Sequence, residues 1–284
     1  MMKTSGAAGG GREAAAAGPL HAPAWQLHTP CQIQCVGPSQ SGKSQLILQL
    51  VRHQASVFDR PFRHIIYCAP GLTLDDDDDE DNEVNGGGGG GDARASPYLR
   101  DLKRACRGSG VTLSVSARLP RVEEITRLTG GRPVLMILDD ILCFEPEDLR
   151  RIVTFSNLHV HHRNISCVYA VQNPFQKNSH LDLVTLSRNC TGRFLLYQTN
   201  DWKMLGTLNN QLFPDSRGFL TSCLLAARER GLNYIYVNTA PLGERPLPRR
   251  YMCYTNLFVE GGEGPIFFDL YRPPAGPPQR RGQQ

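Results

Sequence analysis

The sequence lacks the paired cysteines that would indicate a zinc site or a disulfide framework. Its nine cysteines form no CxxC pair, and the closest two are Cys31 and Cys35. Several cysteines stand within apolar runs, where a free thiol behaves as a small hydrophobic side chain. An odd number of cysteines without a framework excludes a disulfide-stapled fold, and we expect a reducing, intracellular compartment.

The sequence also has no apolar run long enough to cross a bilayer, so we expect no membrane span. Residues 1–24 are rich in alanine and glycine and lack the apolar centre of a signal peptide. Residues 73–95 join an acidic run to six glycines, and residues 273–284 are rich in proline and glycine. Such segments bury too little apolar surface to offset their ordering entropy. We predict a disordered leader, insertion and tail around one domain at residues 25–272.

Acidic residues are scarce outside one short run. The chain carries 31 Lys and Arg against 27 Asp and Glu, a net charge of +4, and eight of those acids stand between Asp75 and Glu83. Without that run, 31 basic residues face 19 acidic ones, which is a charge of +12. A basic surface suits a polyanion such as DNA through phosphate contacts and counterion release. The alternative is a well-solvated basic surface.

Apolar runs of strand length alternate with amphipathic segments of helical period. We predict strands at residues 32–36, 64–69, 111–115, 134–138, 165–171, 193–197 and 234–237. We predict helices at residues 43–53, 97–106, 122–128, 147–157, 181–187, 201–212 and 217–230. This alternation indicates an α/β fold with a parallel, wound sheet and right-handed crossovers, closed by the strand at 234–237.

One segment fits the phosphate-binding pattern GxxxxGK[ST]: Gly37, Pro38, Ser39, Gln40, Ser41, Gly42, Lys43 and Ser44. The glycines let the loop turn its N–H groups inward, and with the helix N-terminus these groups form an anion site. Lys43 is expected to neutralise the β- and γ-phosphates, and Ser44 to ligate Mg²⁺. The segment follows an apolar strand and opens a helix, as this motif requires. The alternative is a glycine-rich turn that merely contains a lysine.

Polar side chains follow two of the apolar strands. Asp139 and Asp140 end the run VLMILDD, and Gln172 and Asn173 end the run ISCVYAVQN. Ligands of open α/β sheets bind at the carboxyl ends of the strands. We expect Asp139 to hold Mg²⁺, Asp140 to polarise the attacking water, and an amide of the second pair to contact the γ-phosphate or orient that water. The alternatives are an aspartate helix cap and an ordinary polar strand end.

The order of the motifs indicates the class of the core. The runs HIIYCA and VTLSV stand between the phosphate loop and VLMIL, which favours a RecA-like P-loop ATPase core, with a mostly parallel central sheet flanked by helices, over a simple nucleotide kinase. The chain contains neither NKxD, the guanine signature, nor LSGGQ. We therefore expect ATP as the nucleotide and Mg²⁺ as its metal.

Taken together, these motifs resemble the FtsK–HerA superfamily of DNA-pumping ATPases. The chain is most similar to the poxvirus-type genome-packaging ATPases of Maverick/Polinton elements, adintoviruses and related DNA viruses. The resemblance rests on VGPSQSGKS, VLMILDDI and above all SNLHVHHRNISCVYAVQNPF, with LSRNCTGRFLLY and NQLFPDSRGFL later in the chain. It covers residues 32–256.

The resemblance implies a homo-oligomeric ring, a hexamer or pentamer, that hydrolyses ATP and threads double-stranded DNA into a capsid. It implies that Gln172 is the polar sensor and that a capsid or portal vertex protein is a partner. It also implies an intracellular place of assembly, with the host nucleus as the first expectation, the cytoplasm as the alternative, and association with the virion. Such motors use an arginine from a neighbouring subunit. Arg163 and Arg188 are the candidates, and an ordinary surface or salt-bridged arginine is the alternative for each.

Two features depart from the family pattern. Many members have Asp-Glu where this chain has Asp139 and Asp140, which gives a shorter catalytic base, and the acidic and glycine insertion is unusual. The histidines at positions 159, 161 and 162 lack cysteines at a matching spacing, so we interpret them as hydrogen-bonded structural residues rather than a zinc site. Two rival functions are a small-molecule phosphotransferase and a non-catalytic nucleotide-binding factor in capsid assembly.

Overall fold

The computed structural model describes residues 25–72, 97–160, 162–177, 179–198, 201–241, 248–258 and 264–274. The predicted leader and insertion, and all but the first two residues of the predicted tail, lie outside these ranges. Among the described residues, no helix has the length and apolarity needed to cross a bilayer.

Nine strands and eight α-helices make up the described fold. The strands are β1 Gln32–Val36, β2 His64–Cys68, β3 Thr112–Ser116, β4 Val134–Leu138, β5 Ile165–Val171, β6 Gly192–Leu196, β7 Tyr234–Asn238, β8 Cys253–Thr255 and β9 Ile266–Phe268. The helices are α1 Lys43–Arg52, α2 Gln54–Val57, α3 Pro97–Gly108, α4 Val122–Thr129, α5 Pro146–Leu158, α6 Leu183–Asn189, α7 Trp202–Leu212 and α8 Phe219–Glu229.

All nine strands form one sheet in the order β3-β2-β4-β5-β1-β6-β7-β8-β9. The six strands from β3 to β6 are parallel, and helices cover both faces, so the expected mostly parallel α/β sheet is confirmed. The strand that separates β1 from β4 is β5, which comes later in the sequence, while β2 lies on the outer side of β4. The carboxyl ends of β1, β4 and β5 therefore meet at one edge.

Alternate residues of the central strands point to opposite faces of the sheet, as the period of a strand requires. In β4, Met136 and Leu138 join the core under α5 to α8, whereas Leu135 and Ile137 join the core under α1 and α3. All five residues of β4 are buried. Covering on both faces explains why this strand is a continuous apolar run in the sequence.

The expectation that residues 234–237 close a parallel series was wrong. Strand β7 is antiparallel to β6, with Leu196 opposite Tyr234, and β8 and β9 extend the sheet by two more antiparallel strands. A single helix between two strands carries the chain from the carboxyl edge of the sheet back to the amino edge, so the next strand is parallel. Between β6 and β7 there are two helices, α7 and α8, which pack against each other. The second helix brings the chain back to the carboxyl edge, so β7 must run in the opposite direction.

Close packing at β6 predicts a stability effect. A Cβ atom on Gly192 would lie 1.8 Å from the Tyr236 hydroxyl oxygen, and Tyr236 is buried between Phe194 and Tyr254. We expect Gly192→Ala to lower the free energy of unfolding by about 1–3 kcal/mol, as overpacking does. Urea unfolding measures this change.

The matched control is Gly206→Ala in α7, where an added Cβ would meet no atom within 4 Å. An alanine in a helix interior is expected to stabilise the fold by about 0.5–1 kcal/mol relative to glycine. Equal unfolding midpoints for the two variants would contradict the packing described at Gly192.

Candidate nucleotide-binding site

The loop between β1 and α1 has a backbone that only glycine tolerates at two positions. The Gly37 N–H donates to the carbonyl of Val171 at 3.1 Å, which fastens the start of the loop to β5. A Cβ on Gly37 would lie 2.5 Å from the Ser41 hydroxyl oxygen, and Gly42 has a φ of 96°. The predicted glycine positions are therefore required by close approach and by a left-handed backbone.

The loop leaves several hydrogen-bond donors unused. The helical ladder of α1 begins with the Leu46 N–H, which donates to the Gly42 carbonyl at 2.9 Å. The N–H groups of Lys43, Ser44 and Gln45 precede it and have no acceptor among the described residues. The hydroxyl of Ser41 is also buried without a partner in this part of the chain. Converging amides at a helix N-terminus bind phosphate.

Lys43 bends back over this loop. Its Nζ donates to the carbonyls of Gly37 and Pro38, both at 2.8 Å, and its side chain is half-buried. Burial lowers the pKa of Lys43, and the nearby carboxylates of Asp139 and Asp140 act in the opposite direction. The ammonium is thus held at the loop by weak neutral acceptors, which a phosphate oxygen can replace with a stronger, charge-assisted bond.

The two aspartates after β4 occupy different environments. Asp139 is 9% exposed, and its two carboxylate oxygens accept hydrogen bonds from the Tyr67 O–H and the Asp140 N–H, both at 3.0 Å. Burial raises the pKa of Asp139, while the Tyr67 hydrogen bond lowers it. Asp140 is exposed, and its backbone lies in the left-handed region. Its side chain makes no capping hydrogen bond to the short 3-10 helix that follows. The helix cap that was the alternative interpretation of Asp140 is therefore absent there.

Of the two amide residues that follow β5, Gln172 contacts the loop and Asn173 does not. Gln172 donates from Nε2 to the Ser39 hydroxyl at 3.2 Å, and this contact joins the end of β5 to the phosphate loop. Asn173 instead accepts the Phe175 N–H at 2.8 Å through Oδ1, which closes a turn. Of the two amides, Gln172 is the one that lies at the site.

The two candidate arginines lie at the opposite edge of the sheet. Arg163 precedes β5 and Arg188 stands in the last turn of α6, just before β6, and both side chains are exposed. These positions are at the amino ends of strands whose carboxyl ends carry the loop. Neither arginine is brought to the loop of its own chain.

Among the described residues, no group of three or more His, Cys, Asp or Glu side chains is arranged to hold a metal ion. His159 packs beside Phe155, with ring centroids 6.0 Å apart, and His162 is exposed. Position 161 lies outside the described residues.

Two tyrosines lie beside Asp139 that the sequence motifs did not predict. Tyr67 lies in β2, next to β4 in the sheet, and its ring centroid is 5.6 Å from that of Tyr98 in α3. Burial raises the pKa of both hydroxyls, so each remains a neutral donor. A tyrosine near the end of the apolar run HIIYC was the available signal, but its meaning depends on knowing that β2 neighbours β4.

The Tyr67 hydrogen bond leads to a prediction about metal and pH dependence. In Tyr67→Phe, the Asp139 carboxylate loses a donor that orients it and lowers its pKa. We expect the acid limb of the activity profile to move to higher pH. We also expect the half-saturating Mg²⁺ concentration to rise about 10- to 100-fold, as for other partners of metal ligands.

Tyr98→Phe is the matched control, because the Tyr98 hydroxyl is buried without a hydrogen-bond partner among the described residues. This variant is expected to keep both the Mg²⁺ dependence and the pH profile. The same shift in both variants would mean that ring packing matters rather than the hydrogen bond to Asp139.

The loop is constrained by glycines and opens a helix, an aspartate lies two strands away at the end of β4, and a glutamine ends β5, the strand between. This arrangement defines a RecA-like P-loop fold. The oxygen ligands present, the Ser44 hydroxyl and the Asp139 carboxylate, are of the kind that Mg²⁺ takes. The unused loop amides are the donors that a triphosphate requires.

No protein-family model and no curated protein matches this chain. Among solved structures it is similar to the genome packaging NTPase B204 from Sulfolobus turreted icosahedral virus 2 in complex with AMPPCP, at 11% identity and a TM-score of 0.39, covering 74% of this chain and 92% of that one. It is also similar to the ATP synthase subunit NeqB from Nanoarcheaum equitans, at 13% identity and a TM-score of 0.38, covering 71% and 59%. A KaiC-like protein from Pyrococcus horikoshii matches at 11% identity and a TM-score of 0.33, covering 60% and 75%.

Proposed function

We propose that this protein is an ATP-hydrolysing DNA translocase of the FtsK–HerA superfamily, poxvirus-type, that packages viral double-stranded DNA into capsids. The observation that carries the ATPase part is the meeting of Lys43, Asp139 and Gln172 at one edge of the sheet, around a loop with unused amide donors. The DNA part is supported by the charge of +12 outside the acidic run and by the family motifs.

Each residue of the site has a distinct task in this proposal. Lys43 and the loop amides bind the triphosphate, and Gln172 senses the γ-phosphate through its position against Ser39. Ser44 and Asp139 would hold Mg²⁺, which when bound offsets negative charge on the phosphate oxygens. Asp140 is the proposed acceptor of a proton from the attacking water, and its exposed side chain without a capping bond supports this role.

The arginine role fits a ring better than a single chain. Arg163 and Arg188 cannot reach their own loop from the amino edge of the sheet, yet both are exposed there. A neighbouring subunit that presented its phosphate loop to this edge would receive one of them as a charge-stabilising arginine. The partners in this proposal are double-stranded DNA, further copies of this chain, and a capsid or portal vertex protein. Its place of action is the host nucleus and the assembling virion.

ATP turnover by the full chain, with and without double-stranded DNA, tests this proposal. A motor is expected to hydrolyse ATP faster when DNA is present, because translocation and hydrolysis are coupled. ATP turnover at the same rate with and without DNA would contradict the translocase and favour a phosphotransferase. Nucleotide binding without turnover under either condition would favour a non-catalytic assembly factor.

A further inference from the structure

The side of the phosphate loop away from the aspartates carries a group of aromatic and polar side chains to which the mechanism gives no task. In the sheet, β5 and β4 lie on one side of β1, and β6 and β7 lie on the other. If the γ-phosphate faces Asp140 and Gln172, as proposed above, the nucleoside end of ATP must leave the loop on the β6 side. The residues at that end of β6 are therefore the nearest available surface for the base.

The end of β6 is in direct contact with the loop. The Cβ atom of Leu196 lies 3.1 Å from where a Cβ on Gly37 would be, so the strand touches the loop at its first glycine. The next residue, Tyr197, is half-buried, and its N–H donates to the Asn233 carbonyl at 2.8 Å. Asn233 in turn donates from Nδ2 to the Ser41 carbonyl at 3.4 Å. Tyr197 is thus tied to the loop through one intervening residue.

Arg228 holds Tyr197 from one side. Its guanidinium carbon lies 5.3 Å from the centre of the tyrosine ring, and its Nη1 donates to Asn233 Oδ1 at 3.0 Å. A cation over an aromatic face, itself hydrogen-bonded to a neighbour, restricts both the ring and the arginine. Arg228, Asn233 and Tyr197 therefore form one connected unit, which Asn233 joins to the loop.

Trp202 completes this surface. It meets Tyr197 edge-on, with ring centroids 6.1 Å apart, and it is 37% exposed. Three other large hydrophobic side chains are exposed among the described residues. Leu128 and Leu158 stand at the ends of α4 and α5, at the amino edge of the sheet, and Tyr271 follows β9. Trp202 therefore extends the aromatic surface of Tyr197, which is tied to the phosphate loop, and it leaves surface that a ligand can cover.

We propose that Tyr197 and Trp202 form the subsite for the base of the bound nucleotide, a purine, with Arg228 and Asn233 positioning Tyr197. The inference rests on the proposed nucleotide site at the loop. Flat aromatic side chains bind bases by stacking and edge contact, and they do so without reading a hydrogen-bond pattern. The phosphate loop then supplies the affinity for the triphosphate, and this surface supplies the affinity for the nucleoside.

Comparison of ATP with inorganic tripolyphosphate, which has the phosphates but no base, tests the subsite. In Tyr197→Leu and in Trp202→Leu, we expect the Kd for ATP to rise on the order of 10-fold, the size of one base–aromatic contact. The Kd for tripolyphosphate is expected to stay at the wild-type value. Calorimetry on the full chain measures both.

Tyr271→Leu is the matched control, because Tyr271 is also exposed and also has an arginine, Arg250, 5.8 Å from its ring centre. It lies after β9 and is expected to leave both constants unchanged. A second readout uses the fact that the chain has two tryptophans. In a Trp25→Phe background, ATP should change the fluorescence of Trp202, whereas tripolyphosphate should not.

The outcomes separate this inference from the nucleotide site itself. Unchanged ATP affinity in both aromatic variants would overturn the base subsite while leaving the loop assignment intact. An equal loss of ATP and tripolyphosphate affinity would also overturn it, because the aromatic residues would then act by supporting the loop. A wild-type chain that binds neither ligand would overturn both proposals. If DNA does not stimulate ATP turnover but the aromatic variants lose affinity for ATP alone, the motor proposal would be overturned and the base subsite would stand.

Discussion

Replacement of Lys43 by alanine is expected to lower ATP turnover about 100- to 1,000-fold, the size of losing one preorganised electrostatic donor at the reacting phosphate. The ammonium lies over the loop between the carbonyls of Gly37 and Pro38 and near Asp139 and Asp140. Among the described residues, Lys43 is the lysine whose ammonium donates to this loop. Its removal takes one positive charge away from the triphosphate and leaves the loop amides, the metal and the arginine of a neighbouring subunit to offset the rest.

The loss in Lys43→Ala should appear both with and without DNA, because it concerns the chemical step rather than the coupling. Lys103→Ala, on the exposed side of α3, is the matched control and is expected to retain full turnover. The folded state should survive in both variants, since the two hydrogen bonds of Lys43 go to loop carbonyls rather than into either core. Unchanged turnover in Lys43→Ala would show that the active site lies elsewhere.

Strands β1, β4 and β5 begin and end where the sequence predicted. Each is a short, largely apolar run, which ends at a glycine in β1 and at a polar residue in β4 and β5. The phosphate loop and Asp139 were predictable for the same reason, since carboxyl ends of parallel strands share an edge. Strand β7 was predicted in place but not in direction. The two helices before it were visible in the sequence, and their number decides which edge the chain returns to.

Side chains that act through a neighbouring strand could not be found in this way. The Tyr67 hydrogen bond to Asp139 depends on β2 lying beside β4, and the Asn233 contact with Ser41 depends on the antiparallel return into β7. Both follow from the order of strands in the sheet. The short strands β8 and β9 have three residues each, too few for alternation to be recognised as a period.

Asp140→Asn is expected to separate nucleotide binding from hydrolysis. The change removes the charge of the proposed base and keeps the size and shape of the side chain. Asparagine also tolerates the backbone at this position, where φ and ψ are both 46°, in the left-handed region. We therefore expect ATP binding to persist while turnover falls about 100- to 10,000-fold, the range for loss of a general base.

Asp140→Glu tests the reach of the same carboxylate. Many members of the proposed superfamily have Asp-Glu at these two positions, so a glutamate here gives the carboxylate a longer reach. It is expected to keep measurable turnover although glutamate is less suited than aspartate to a left-handed backbone. Single-turnover hydrolysis and equilibrium ATP binding, measured on both variants, distinguish chemistry from affinity. If Asp140→Asn hydrolyses ATP at the wild-type rate, the proton is accepted elsewhere, and the exposed carboxylate beside Asp139 serves only to add negative charge at the metal.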